Sequence, residues 1–505
     1  MKQAYKETYG GDSTVNVPKC MSTQHPDNVN TPEYAIDGIL KGEGEVQEAV
    51  DVFALGCDEQ MWDSEGKDVD NRVVTKLLTG YPDFFRQHTL GQDCRITLRI
   101  PNPNIERDMR KTLLEALEGV PSAWDVANEF YGSDVSPPIR EVILPFTSSA
   151  SEMNRIYAYY NKYVVGKADM PLIGDYKVSD WVGRMEPRQI GVIPLIEDLD
   201  HMMSADTIVD EYLSDKDLPY QRVFLARSDT ALNYGVVAAE LMLKNGLSVL
   251  ERLEKQRGIP IYPIIGAGSA PYRGNLTPLN LDRCFKEYPS AHTFTIQSAF
   301  KYDYPEDTVR VAINRIMQRT RGASVPIDAT RAKQIIKRFS TEYRRCLRLL
   351  APAITAMSGL IPRRRDRKLH IGLFGYSRSL EPDDEGQDTI RLPRAIEFCG
   401  TLYSLGIPPE ILGLSALRDD DTTFLKEVYP SLEQDLADAV RFANWDAIKH
   451  YLGANYLKIA SSFLHEVDAV HQGITSAIRA SIESRPAEYT KRYVIEAARL
   501  RRFLG

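Results

Sequence analysis

Within the first 300 of 505 residues lie eight short apolar runs, each stopping at a polar or charged side chain of a kind that catalysis uses. The runs cover 17–22, 52–56, 95–100, 141–146, 191–196, 222–226, 261–265 and 292–296. At or near their ends stand His25, Glu59, Arg99, Thr147, Glu197, Asp229, Arg273 and Gln297. Runs rich in Val, Ile and Leu, bounded by Gly, Pro and Asp and separated by helix-like stretches, read as buried parallel strands. Eight of them predict an α/β fold closed into a (β/α)8 TIM barrel, whose post-strand loops converge on one mouth. Polar groups scattered through the chain then meet at a single site.

Between the runs, 104–117 follows Pro103 with apolar residues at helical spacing, and 230–253 repeats Ala, Val and Leu likewise. After residue 305 the character changes. Ala, Leu, Arg and Glu recur with helical periodicity, as in 335–350, 431–443 and 487–503. We therefore expect a barrel core over 1–305 that carries the active site. A large additional α-helical C-terminal region, 306–505, packs on it as one catalytic unit. Residues 362–394 break the pattern with dense charge, glycines and turn residues, and read as a mobile Arg/Gly-rich segment near the mouth. For the RRRDRK run inside it, a solvated basic face is the competing reading.

A net charge of -8 argues against nucleic-acid binding, which calls for a basic excess. No apolar run reaches the roughly 18 residues of a membrane span, and the first residues lack the apolar core of a signal peptide. The expectation is a cytoplasmic protein that engages neither membrane nor nucleic acid. Cys20, Cys57, Cys94, Cys284, Cys346 and Cys399 contain no Cys-x-x-Cys pair, so they read as reduced, structural thiols.

Glu197 closes IGVIPLIEDLD and Asp229 closes RVFLARSDTALNYG, on consecutive strands whose ends lie close together in a barrel. Two carboxylates without a thiolate or histidine cluster suit a hard cation such as Mg2+, with its other positions left to water and substrate. The bland alternative is that each acid caps the helix that follows, Asp229 above all. Arg99, and Arg273 in the loop GAGSAPYRG with Gly266 and Gly268, suit an anionic substrate. Arginine holds carboxylate or phosphate bidentately, and a glycine-rich loop lets backbone N–H groups approach oxyanions. His25 sits in MSTQHPDN, held extended by Pro26, where proton transfer competes with a purely structural role.

Taken together, CMSTQHPDN, GCDEQMWDSEGKDVDN, PLIEDLD and FLARSDTALNYG resemble the archaeal-type phosphoenolpyruvate carboxylases over nearly the whole chain. The resemblance implies a catalytic histidine at His25, in Thr-x-His-Pro. It implies metal-binding acids at Glu197 and Asp229, in Pro-Leu-x-Glu-x-Leu-Asp and a Ser-Asp-Ser-like turn, and a phosphate-binding arginine at Arg99. The larger bacterial and plant carboxylases carry a histidine and two arginines in the glycine-rich loop. Here Ile265 and Ala267 replace the histidine and the first arginine, leaving Arg273. Arg184, Arg227, Arg378 and Arg394 are the candidates to supply the missing charge, the last two as substrate-binding residues of the 362–394 segment.

The implied reaction is carboxylation of phosphoenolpyruvate by bicarbonate to oxaloacetate and phosphate, through carboxyphosphate and an enolate stabilised by Mg2+ or Mn2+. Such a reaction replenishes tricarboxylic-acid-cycle intermediates. The resemblance also implies a homotetramer, formed through the helices and inhibited by dicarboxylates. Two rival readings are another metal-dependent enolate enzyme on a TIM barrel, such as a mutase or a pyruvate-forming kinase, and a catalytically inactive scaffold. No Gly-x-x-x-x-Gly-Lys-Ser/Thr loop supports the kinase, and the retained strand-end acids and histidine disfavour the scaffold.

Overall fold

Strand pairing closes the barrel. A computed structural model of the chain describes residues 16–64, 72–132, 135–366, 379–380, 390–464, 466–482, 484 and 486–505. Its first ten strands are β1 (Cys20–Ser22), β2 (Glu59–Asp63), β3 (Arg95–Arg99), β4 (Ile139–Leu144), β5 (Pro171–Ile173), β6 (Tyr176–Lys177), β7 (Gly191–Ile196), β8 (Gln221–Ala226), β9 (Ile261–Gly266) and β10 (Thr293–Ile296). Eight of them pair in parallel around a ring in the order β1-β10-β9-β8-β7-β4-β3-β2, while β5 and β6 form a separate antiparallel hairpin. Met21, Met61, Ile143, Ile193, Phe224 and Ile264 point inward and fill the barrel with their own apolar cluster, so the interior is a packed core and not a channel.

Seven of the eight predicted runs coincide with barrel strands, and the second does not. Residues 52–56 fall at the end of helix Glu43–Ala54, where Val46, Ala49, Val50 and Phe53 are buried at helical spacing. The strand is Glu59–Asp63, with sequence EQMWD. Glu59 therefore begins a strand and lies at the end of the barrel opposite the mouth. There it accepts two hydrogen bonds from the buried Arg222 guanidinium, each at 2.7 Å, while a third Arg222 contact reaches Glu141 at 2.9 Å. Burial alone would push the Glu59 carboxyl up, but Arg222 holds it below the usual carboxylate range. One guanidinium thus ties β8 to β2 and β4 across the barrel floor.

The expected helix over 230–253 is two helices, Ser228–Tyr234 and Val236–Arg257, parted at Gly235. Gly235 has φ +85°, and a Cβ there would lie 2.6 Å from the Phe339 ring, so only glycine fits the break. Phe339 belongs to Ala329–Ser358, the long helix that opens most of the C-terminal region. Beyond β10 the described chain is helical apart from one hairpin, Ser379–Leu380 with Ile390–Arg391. Phe339, Tyr343, Phe398 and Leu402 share one continuous apolar cluster with the outer faces of the barrel strands.

In the basic run at the start of the 362–394 segment, Arg363 and Asp366 are exposed while Arg364 and Arg365 are tied down. Arg365 is buried against Glu45 and Glu48, and Arg364 donates to the carbonyls of Asn28 and Val29 at 3.2 and 2.7 Å. Residues 367–378 and 381–389, Arg378 among them, lie outside the described residues. All six cysteines are free and buried. Among the described residues no helix is long and apolar enough to cross a membrane.

Candidate active site

Five of the strand-end residues line one cavity at the C-terminal mouth of the barrel: His25, Arg99, Glu197, Asp229 and Gln297, with Gly266, Phe146 and Ser228 between them. Each is delivered differently. His25 follows β1, and its Nδ1 lies 2.9 Å from Thr23 Oγ1. Its carbonyl accepts from the Ser298 amide at 3.2 Å, which ties the β1 loop to the β10 loop. Arg99 ends β3 and donates to Asp63, the end of β2, at 3.1 Å. Glu197 follows β7 directly and accepts from the Phe146 amide at 3.0 Å. Phe146 adopts φ +54°, an uncommon conformation for a bulky side chain. A strained backbone is thus maintained where it aims an N–H at a site carboxylate.

Neither acid is the N-cap of the helix that follows it. After Glu197 the cap is supplied by Asp198, which accepts from the His201 amide. After β8 the N-cap is Arg227 and makes no side-chain cap bond, so Asp229 sits inside the first turn. Both residues line the cavity. Among the described residues no group of three or more His, Cys, Asp and Glu could cage a metal alone. Two carboxylates on one wall, with water and substrate completing the shell, is the donor set a Mg2+-like cation uses.

Arg273 lies behind this wall. Its guanidinium donates to Asp27 at 3.1 Å, Ser228 at 3.1 Å, Gln297 at 2.5 Å and the Gly505 carbonyl at 2.9 Å. Asp27 accepts in turn from the amide of Ala299 at 2.7 Å. One buried cation so gathers the loops after β1, β8 and β10 and the far end of the helical region. The glycines before it are required by space. A Cβ on Gly266 would stand 2.6 Å from the Phe224 ring, and one on Gly268 2.9 Å from the Arg273 guanidinium and 3.0 Å from Gln297 Oε1.

Residues 17–505 match the family model described as phosphoenolpyruvate carboxylase. The chain belongs to the phosphoenolpyruvate carboxylase family. Relatives include phosphoenolpyruvate carboxylase of Methanothermobacter thermautotrophicus, 48% identical over 97% of this chain and 100% of that protein. Phosphoenolpyruvate carboxylase of Methanospirillum hungatei JF-1 is 47% identical over 97% and 100%. A solved HpcH/Hpal aldolase/citrate lyase family protein from Burkholderia cenocepacia J2315 aligns at a TM-score of 0.33 and 11% identity, covering 63% of this chain and 99% of that one. The barrel itself is established by strand pairing. Family membership carries a divalent metal cofactor with it, in accord with the donor set.

Of the residues singled out in the sequence, His25, Arg99, Glu197, Asp229 and Gly266 line the cavity, Gly268 and Arg273 stand directly behind it, and Arg394 precedes helix Ala395–Ser404. The candidates for the missing cation divide. Arg227 touches the cavity, but its guanidinium turns inward to the Tyr272 carbonyl at 3.1 Å and to Glu240 at 3.3 Å. Arg184 stacks over Trp124 in a cation–π contact and precedes the start of β7, at the opposite end of that strand from the mouth. Three residues went unassigned: Asp27, Asp63 and Phe146. Asp27 stands two places after His25 in a motif already singled out, so its signal was present without a role. Gly268→Ala is expected to lower kcat/KM about a hundredfold, since a shift of about 1 Å in positioning groups costs that much. Steady-state kinetics beside an unchanged circular-dichroism spectrum would check it.

Proposed function

We propose that this protein carboxylates phosphoenolpyruvate with bicarbonate, giving oxaloacetate and inorganic phosphate. The observation that carries the reading is the convergence of Glu197, Asp229, Arg99 and His25 on one cavity at the barrel mouth. A cation bound by Glu197 and Asp229, Mg2+ or Mn2+, would supply positive charge for the substrate oxygens and the enolate. Arg99, oriented by Asp63, offsets the charge of the phosphoryl group as it leaves the enol oxygen for a bicarbonate oxygen, because such transfer is governed by positioning and electrostatics. The products of that step are carboxyphosphate and the enolate of pyruvate. His25, oriented through Thr23, takes the carboxyphosphate proton as the mixed anhydride breaks into carbon dioxide and phosphate. The enolate carbon then attacks carbon dioxide within the cavity, before water can protonate it.

Gly266 and Gly268 keep the β9 loop close enough for backbone N–H groups to meet oxyanions. Arg273 acts through Gln297, which it holds at the cavity wall. Arg394, and Arg378 beyond the described residues, complete the substrate-binding set this reading assigns. It also takes the protein as a cytoplasmic, dicarboxylate-inhibited homotetramer that replenishes the tricarboxylic acid cycle. The test is turnover with 18O-labelled bicarbonate and no nucleotide. Oxaloacetate should form, with one labelled oxygen in each phosphate released. Unlabelled phosphate, or nucleotide-dependent pyruvate, would sink the reading.

A further inference from the structure

Half of the fourteen large apolar side chains exposed among the described residues lie within twenty positions of one another, between 163 and 182. They belong to an arm inserted before β7: the β5–β6 hairpin and the short helix Val178–Val182. Met170, Leu172, Ile173, Tyr176, Trp181 and Val182 all face solvent, Ile173 at 78% and Trp181 at 69% exposure. The arm is not a loose tail. The Val178 amide donates to the Met170 carbonyl at 3.0 Å, the Tyr176 hydroxyl to the Asp180 carbonyl at 2.9 Å, and at the root Tyr160 Oη donates to the Pro187 carbonyl at 2.8 Å. These bonds hold the apolar side chains out in fixed positions. Folding them back onto the barrel would break the arm's own hydrogen bonds.

We propose that this arm is where two copies of the chain meet. Area is the first argument. Two of the six are aromatic, a class that buries about 150–250 Å² per side chain when covered, and all six are 45–78% exposed, which leaves on the order of several hundred Å² of apolar surface in one patch. One side of a standard interface is about 800 Å², of which somewhat over half is apolar. Patches of this size on isolated monomers mark contact sites.

Charge is the second argument, and it selects the occupant. Across 162–188 the arm carries five Lys and Arg against four Asp and Glu. Lipid headgroups and nucleic acid both select surfaces with a clear basic excess, which this arm lacks. A nearly neutral surface with both signs interleaved is complementary to itself when turned through a two-fold axis, which is how identical chains usually pair. Position agrees. The arm leaves the barrel between the helix after β4 and the start of β7, so it emerges at the floor, and pairing there leaves the mouth open to substrate. The assignment is independent of the carboxylation chemistry.

The experiment measures mass in solution by sedimentation for wild type and for Ile173→Asp combined with Trp181→Glu. Wild type is expected to sediment as a multiple of the chain. The double variant should fall to half that mass or less at an unchanged melting temperature. A monomeric wild type, or a variant that keeps the wild-type mass, overturns the proposal. Ile173→Cys supplies a milder reading, because all six native thiols are buried and leave a quiet background. Its maleimide labelling should run at least tenfold slower than in the same chain carrying Trp181→Glu. Equal rates would put the contact elsewhere and overturn the proposal.

Discussion

Asp229→Asn is expected to reduce oxaloacetate formation by about a thousandfold or more, the several kcal/mol that a bound cation contributes to stabilising developing negative charge. The substitution preserves size and much of the hydrogen-bonding capacity, so what is lost is charge. Glu197→Gln should fall alongside it, although Gln can still accept the Phe146 amide hydrogen bond. A second readout separates a lost cation from a lost fold. Added Mg2+ or Mn2+ should raise the melting temperature of the wild type and leave that of Asp229→Asn unmoved, because only a ligand that binds the native state stabilises it. Near-normal turnover in Asp229→Asn would mean that the two acids do not share an ion. So would an undiminished melting shift.

The largest effect on stability is expected at the other end of the barrel. Arg222→Met should destabilise the protein by about 3–5 kcal/mol, since removing one partner of a buried ionic cluster leaves charges that nothing compensates. Glu59 and Glu141 would then face each other across the floor with no guanidinium between them. Glu141→Gln should cost less, because Glu59 keeps both of its contacts to Arg222. Combining Arg222→Met with Glu59→Gln and Glu141→Gln should recover much of the loss, as a neutral floor carries no orphaned charge. Urea unfolding of the three variants would check the ranking. An Arg222→Met chain as stable as wild type would show that the cluster is hydrated and not sealed.

How much of this was readable from residues alone follows from what neighbours a residue needs. β7 and β9 announce themselves because their outer faces pack on helices and their inner faces on the barrel core, which yields continuous apolar runs. β2 does not. Its inward positions are Glu59, Met61 and Asp63, so the strand interior is polar where Arg222 waits across the barrel and where Arg99 stands beside it on β3. The apolar stretch just before it belongs to a helix. No periodicity rule reads through an ion pair whose other half is 163 residues away. The candidate site was legible for a related reason. Glu197, Asp229, His25 and Arg99 sit at strand ends that the topology gathers, whereas Asp27 owes its place to hydrogen bonds from Arg273 and the Ala299 amide, and Phe146 to one with Glu197. Arg273 was legible as a cation at the right loop, but not as one already surrounded by protein oxygens.

The four-way grip of Arg273 also sets the smallest piece of this protein that could work. The carbonyl it holds at Gly505 arrives from the end of helix Ala487–Arg501, and the Leu504 amide donates to the Asp27 carbonyl at 2.6 Å. Phe503 and Leu504 are buried beside it. A barrel excised after residue 305 would therefore keep every residue that lines the cavity, yet lose one wall of the cradle around the cation that holds its loops together. Attempts to miniaturise this enzyme, or to graft its mouth onto a shorter barrel, would have to rebuild that carbonyl and its two apolar neighbours before any loop redesign could take effect.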